Sequence, residues 1–269
     1  MKTISMALAI LASAILVGSA VGSASFRAYA HTFHGDENVA FLTMVQQIKV
    51  ETSLAGNNTS NKEVADHHVE HAAQALDNST LKEIAEKNQR IATDLPQSIQ
   101  QVKTSIDSGA SPDEVKQNVQ ALSDLLDEAT DVRIEKTQVT NTTVQATVVA
   151  NLVNEALEHY GEAVGFEGNM TDMSSIGATP STGAQASAKV VDIANYQSSQ
   201  AFAQKAQELY QQIKSRALPG ADNAVKALDD SFPAFVSAIK DKASPMEIMQ
   251  IAHTKIHPNL MTAYSLLAT

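Results

Sequence analysis

Ala110-Ser111-Pro112-Asp113-Glu114-Val115 and, 133 residues further on, Ala243-Ser244-Pro245-Met246-Glu247-Ile248 are one helix start written twice. In each, the serine is an N-cap whose oxygen accepts from the amide three residues on, and the glutamate at that third position closes a capping box. Proline takes the first helical position, where a missing N–H costs nothing. Working outward at the same offset, Leu95, Ile99, Val102 and Ile106 fall on Leu228, Phe232, Phe235 and Ile239. Ala73-Gln74 and Leu76 fall on Ala206-Gln207 and Leu209. An apolar face and a helix start that agree together, without insertion, predict a duplication. Each copy is a three-helix unit, roughly 61–138 and 188–268.

The rest of the chain reads the same way. Asp36 caps a helix carrying Val39, Phe41, Leu42, Val45 and Ile48 at helical spacing. Ser60-Asn61-Lys62-Glu63 is a capping box that opens a helix to about Leu76. Thr80 and Glu83 open another through Leu81, Ile84, Ile91, Leu95 and on to Ile106, which Pro96 should bend or break. A helix over 142–164 follows Asn141-Thr142, and the Gly-, Ser-, Thr- and Met-rich residues 165–187 read as a flexible linker. Helices over 188–216 and 222–242 and a last one from Ser244 complete the chain; Pro233 and Pro258 should distort theirs. No stretch alternates at period two. The predicted class is all-α: a bundle of about eight helices built from two duplicated three-helix units. The halves are 31–164 and 188–269, the helices at 36–55 and 142–164 are extra, and an N-terminal signal or anchor segment precedes them.

That segment is residues 1–30. Lys2 supplies a positive start, Ile4 to Val21 is apolar, and Asp and Glu are absent from the first thirty positions. This is the layout of a secretory signal. Ala28-Tyr29-Ala30 has the small-x-small form of a cleavage site, with Gly18-Ser19-Ala20 and Gly22-Ser23-Ala24 as competitors. The apolar run is also long enough to stay as a membrane anchor. Sequons at Asn57, Asn58, Asn78, Asn141 and Asn169 fit an extracytoplasmic, glycosylated chain, secreted or held at the cell surface. Cysteine is absent, so core packing rather than disulfides must hold the fold.

The chain carries 19 Lys plus Arg against 30 Asp plus Glu, a net charge of −11. Such a surface repels nucleic acid and anionic membranes, so any membrane contact runs through an uncleaved N-terminal segment. Nucleophile elbows, P-loops and dinucleotide fingerprints are missing. A di-iron bundle needs Glu-x-x-His on two helices, and none is present.

Histidine is the unusual resource. His67 and His71 stand four apart, share one helix face and can chelate one ion, with Asp66 and Glu70 beside them. His253 and His257 repeat the spacing near Pro258, and His159 sits among Glu155, Glu158 and Glu162. At the duplication offset His67 and His71 fall on Gln200 and Gln204, and His253 and His257 on Gln120 and Asp124. The histidines are therefore not needed to build the repeated scaffold. Cleavage after Ala30 would make His31 the first residue, whose amine and ring could grip copper, with His34 or a helical histidine completing the site. That arrangement resembles the histidine brace of copper monooxygenases and copper carriers, although those sit on β-sandwiches.

Asp36-Glu37-Asn38-Val39-Ala40-Phe41-Leu42, the Ala110-Ser111-Pro112 turn and the ending His253-Thr254-Lys255-Ile256-His257-Pro258-Asn259-Leu260 resemble a group of secreted helical proteins of ammonia-oxidising archaea. The resemblance implies an exported helical chain in a copper-dependent setting and no particular activity. Two functions compete. One is a binding protein that holds copper or another divalent metal ion through His31, His34, His67, His71, His159, His253 and His257. The other is a structural protein that meets other cell-envelope proteins through its helix faces. An enzyme comes third. Mass spectrometry of the exported chain checks the first step: a terminus at His31 is expected, and any other start removes the brace.

Overall fold

Both serine–proline starts cap helices. Ser111 Oγ accepts from Glu114 N at 3.2 Å, and Ser244 Oγ accepts from Glu247 N at 3.2 Å. The computed structural model describes residues 37–172 and 187–266. Its helices are α1 (Glu37–Asn57), α2 (Lys62–Ala75), α3 (Asn78–Lys87), α4 (Gln89–Asp107), α5 (Pro112–Arg133), α6 (Lys136–Val139), α7 (Thr142–Val164), α8 (Ile193–Ile213), α9 (Asp222–Lys240), α10 (Pro245–Ile251) and α11 (His257–Tyr264). No strand occurs among the described residues, so the all-α class stands. Among those residues no helix is long and apolar enough to cross a membrane. Residues 1–36, with the signal segment, His31 and His34, lie outside the described residues.

Several boundaries differ from the expected ones for local reasons. Asn61, not Ser60, caps α2, and Asp77, not Thr80, caps α3. The single helix expected up to Ile106 is two, because Asn88 ends α3 and its side chain accepts from the amides of Arg90 and Ile91 to start α4. Pro96 lies inside α4 and Pro233 inside α9 without ending either helix. Pro258 acts differently. It has no amide to give the carbonyl four residues back, and the chain ahead of it widens into a π turn over Ala252–Ile256. There His257 N donates to Ala252 O, five residues behind. These breaks, with the short α6, raise the count above the eight helices expected.

The helices that the duplication left over turn out to be central. Twelve of the 21 residues of α1 and fourteen of the 23 in α7 are buried, which marks helices covered on most sides. One core is built by α1 to α5 around Ile48, Leu95, Leu122 and Leu126. The second is built mainly by α7 to α11 around Leu157, Tyr210, Phe232 and Phe235. α1 gives Phe41, Met44, Val45 and Ile48 to the first and Val39 and Val50 to the second.

The ends of the expected linker are tied down. Gly165 closes α7 in the left-handed region, at φ 65°, which glycine enters without strain. Met170 is buried with its sulfur against Gly161, where an added Cβ would sit 3.2 Å from it. Val191 N donates to Ala163 O and Ala188 N to Lys242 O. Positions 173–186 lie outside the described residues. α7 and α8, on either side of this stretch, form the most extensive helix pair among the described residues, and the two expected halves fall within one compact unit. Ile48, fully buried in α1, should report on its integrity. Ile48→Ala is expected to lower unfolding free energy by about 2–5 kcal/mol in chemical denaturation.

Candidate metal centre

A carboxylate in a helix interior needs compensation for lost hydration, usually several kcal/mol. Glu51 of α1 has a side chain 2% exposed and finds its compensation in imidazoles from two other helices. Glu51 belongs to a buried polar stripe, Thr43, Gln47 and Glu51, among the apolar residues that α1 buries. A matching stripe on α7 is Asn151, Glu155 and His159. The two run in parallel. Asn151 Nδ2 donates to Thr43 Oγ1 at 3.3 Å, Gln47 lies beside Glu155, and His159 Nε2 lies 3.8 Å from Glu51 Oε1. α2 supplies the other face. His68 Nδ1 stands 2.7 Å from Glu51 Oε2, and His71 Nδ1 stands 3.5 Å from Glu51 Oε1.

Outer bonds set the ring orientations. Asn195 Nδ2 donates to Asp192 Oδ2 at 3.0 Å, which leaves its Oδ1 to accept from His159 Nδ1 at 2.7 Å. The proton on Nδ1 turns a lone pair at Nε2 toward Glu51. Phe202 stacks on the His159 ring at 5.3 Å. Asn58 Nδ2 donates to Leu54 O and to Gln197 Oε1, and that same Oε1 accepts from His68 Nε2 at 2.9 Å. Both nitrogens of His68 are thus engaged, and the ring fixes one carboxylate oxygen.

Glu51 Oε1 and His71 Nδ1 are buried and neither makes a hydrogen bond. A carboxylate oxygen therefore faces His71 Nδ1 and the His159 lone pair across 3.5 and 3.8 Å, an arrangement that attracts positive charge, whether a proton on His71 or a cation. For bonds of roughly 2.0–2.2 Å, a tetrahedral metal spaces its ligand atoms by about 3.3–3.6 Å. Ligand atoms of Glu51, His68 and His71 all lie within 4.8 Å of one another.

Charge is distributed unevenly around the site. Burial works against ionised Glu51, but the hydrogen bond with His68, the His71 ring 3.5 Å away and the fields of His159 and His71 outweigh it and hold the carboxyl at about 2. Burial also opposes charge on His71, yet Glu51, Glu162 and Asp192 raise it above the usual imidazole value. Burial wins at His159, with help from the His71 charge, and lowers it. Glu155 is pushed up to about 8 by burial and by Glu158.

The structure brings His71 and His159 together, with His67 beside them, its ring 4.5 Å from that of His71. Glu51, His68 and Asn195 were not singled out in the sequence. The four-residue polar stripes inside two apolar helices were the available sign. His253 and His257 do not join this cluster. His253 Nε2 donates to Met170 O at 2.9 Å, and His257 packs against α7 with a hydrogen bond to Ala150. His31 and His34 fall outside the described residues. Comparison with known proteins gives no match: no family model, curated protein or solved structure aligns with the chain.

Burial, reinforced by His253, pushes His257 down to about 3. It stays neutral in the fold while the unfolded imidazole takes its proton near 6.5, so its contribution is full above pH 6.5 and lost as pH falls toward 3. Glu51 contributes above 4.5 and loses that contribution as pH falls through about 2. Glu155 has the opposite slope: its contribution is full below 4.5 and lost as pH rises through about 8. The difference in denaturation stability between wild type and His257→Gln isolates the first group. It is expected to narrow as pH is lowered from 6.5 to 4.5, a range in which the folded Glu51 carboxyl stays ionised.

Proposed function

We propose that this protein binds one divalent transition-metal ion, zinc or copper(II), at the Glu51 carboxylate inside the α1–α2–α7–α8 bundle. Glu51, His68 and His71, whose ligand atoms lie within 4.8 Å of one another, are the ligand residues, and His159 Nε2, 3.8 Å from Glu51 Oε1, is a further partner of the carboxylate. What carries the reading is the pair of buried ligand atoms, Glu51 Oε1 and His71 Nδ1, that point at one another without a hydrogen bond. Imidazole with one carboxylate suits borderline metals and gives hard ions such as magnesium too few oxygens. The orienting bonds to His159 and His68 are of the kind that support metal-bound histidines. The signal-like segment and the acidic surface favour a binding protein that works outside the cytoplasm, where the ion would be held or carried rather than used in a reaction.

The test is metal analysis and titration of the stripped protein with Zn(II) and Cu(II). One ion per chain is expected. His71→Ala and His159→Ala should each weaken binding by about tenfold or more. His253→Ala/His257→Ala should leave it unchanged. Failure to retain one ion, or equal affinity in His71→Ala, overturns the assignment. The cluster would then be a charged core network, and the protein a structural or interaction protein of the cell envelope.

A further inference from the structure

Exposure around the centre is graded. The Glu51 and His68 side chains are 2% and 0% exposed, His71 and His159 are 14% and 15%, and His67 and Asp192 rise to 38% and 32%. The imidazoles form a stair along this gradient. His67 lies 4.5 Å from His71 between ring centroids, and His71 lies 5.0 Å from His159. One turn of α2 separates His67 from His71, so both rings project from one helix face. Opposite His67 stands Asp192, its Oδ1 at 4.0 Å from His67 Nδ1. Asp192 also caps α8 and holds Asn195, the residue that orients His159.

We propose that His67 and Asp192 form the loading step of the metal centre, a proposal that rests on the reading above. A hydrated divalent ion is caught at the surface by His67 Nδ1 and Asp192 Oδ1. It then passes to His71 and on to Glu51 and His68. At each transfer one metal–nitrogen or metal–oxygen bond forms as one bond to water or to the previous ligand breaks. The ion keeps its charge and no electron moves. A carboxylate beside an imidazole at the surface suits capture, because it attracts the cation while the ion still holds most of its water. Closing the deeper ligands around a partly bound ion then avoids exposing Glu51 to solvent. His67 in this role governs how fast the ion moves, not how tightly it is held at the end.

Co(II) uptake followed by its visible absorption, and release of Zn(II) to a chelator, test the assignment on the full chain. His67→Ala is expected to slow uptake and release together, each by about tenfold, while the equilibrium affinity stays within about twofold of wild type. His71→Ala, which removes a resident ligand, should lose affinity instead. Unchanged rates in His67→Ala overturn the loading role and leave the metal centre standing. An affinity loss in His67→Ala as large as in His71→Ala also overturns it, by making His67 a resident ligand. A wild-type chain that takes up no Co(II) overturns both readings.

Discussion

The ionised Glu51 carboxylate, 2% exposed and met by rings from α2 and α7, is the constraint around which the bundle is arranged. A buried charge left alone costs several kcal/mol, and its compensation here comes from side chains that no local sequence pattern could bring together. Removing any one partner leaves the others with unsatisfied polar atoms at low dielectric, where such atoms are costly. The helices must therefore dock in one register for the carboxylate to be tolerated. Two atoms of the cluster, Glu51 Oε1 and His71 Nδ1, still stand without hydrogen bonds, and they are the atoms on which the proposed metal site rests.

That register is visible along α1 and α7. Thr43 meets Asn151, Gln47 meets Glu155, and Glu51 meets His159, each step four residues further along both helices. Sliding one helix by a turn would re-pair the two stripes and set Glu51 against Glu155 or Ala163 instead of His159. Buried polar contacts of this kind add little net stability, yet they penalise misaligned packings, as polar residues do at coiled-coil seams. The two hydrophobic cores meet at α1, so its polar stripe runs through the middle of the molecule and not along a surface.

Two histidine pairs with the same spacing end in opposite chemical states. His71 sits beside a carboxylate and is raised, whereas His257, beside a second imidazole and an apolar helix face, is lowered to about 3. Spacing along a helix says which side chains share a face. It does not say what that face meets. His253 and His257 also flank most of the π turn that Pro258 imposes, and each has a ring nitrogen bonded to the main chain of a neighbouring element, Met170 for His253 and Ala150 for His257. They belong to the packing of the last helix.

Local chemistry in the chain was enough to determine the all-helical class, the serine–proline starts at Ser111 and Ser244 and the apolar faces that fill both cores. Capping and helical periodicity are short-range effects, set by residues three or four apart. It was not enough to place Asn88, where a side-chain cap splits an otherwise continuous apolar face, or to show that α1 and α7 lie at the centre. Of the candidate site, His71 and His159 could be read as residues, but not as neighbours. Glu51 and His68 emerged only once α2 and α7 were packed on α1, because a carboxylate becomes a ligand through what surrounds it. Coordination depends on separations of a few ångströms between residues up to 108 positions apart. Only the packing of the helices against one another decides such distances.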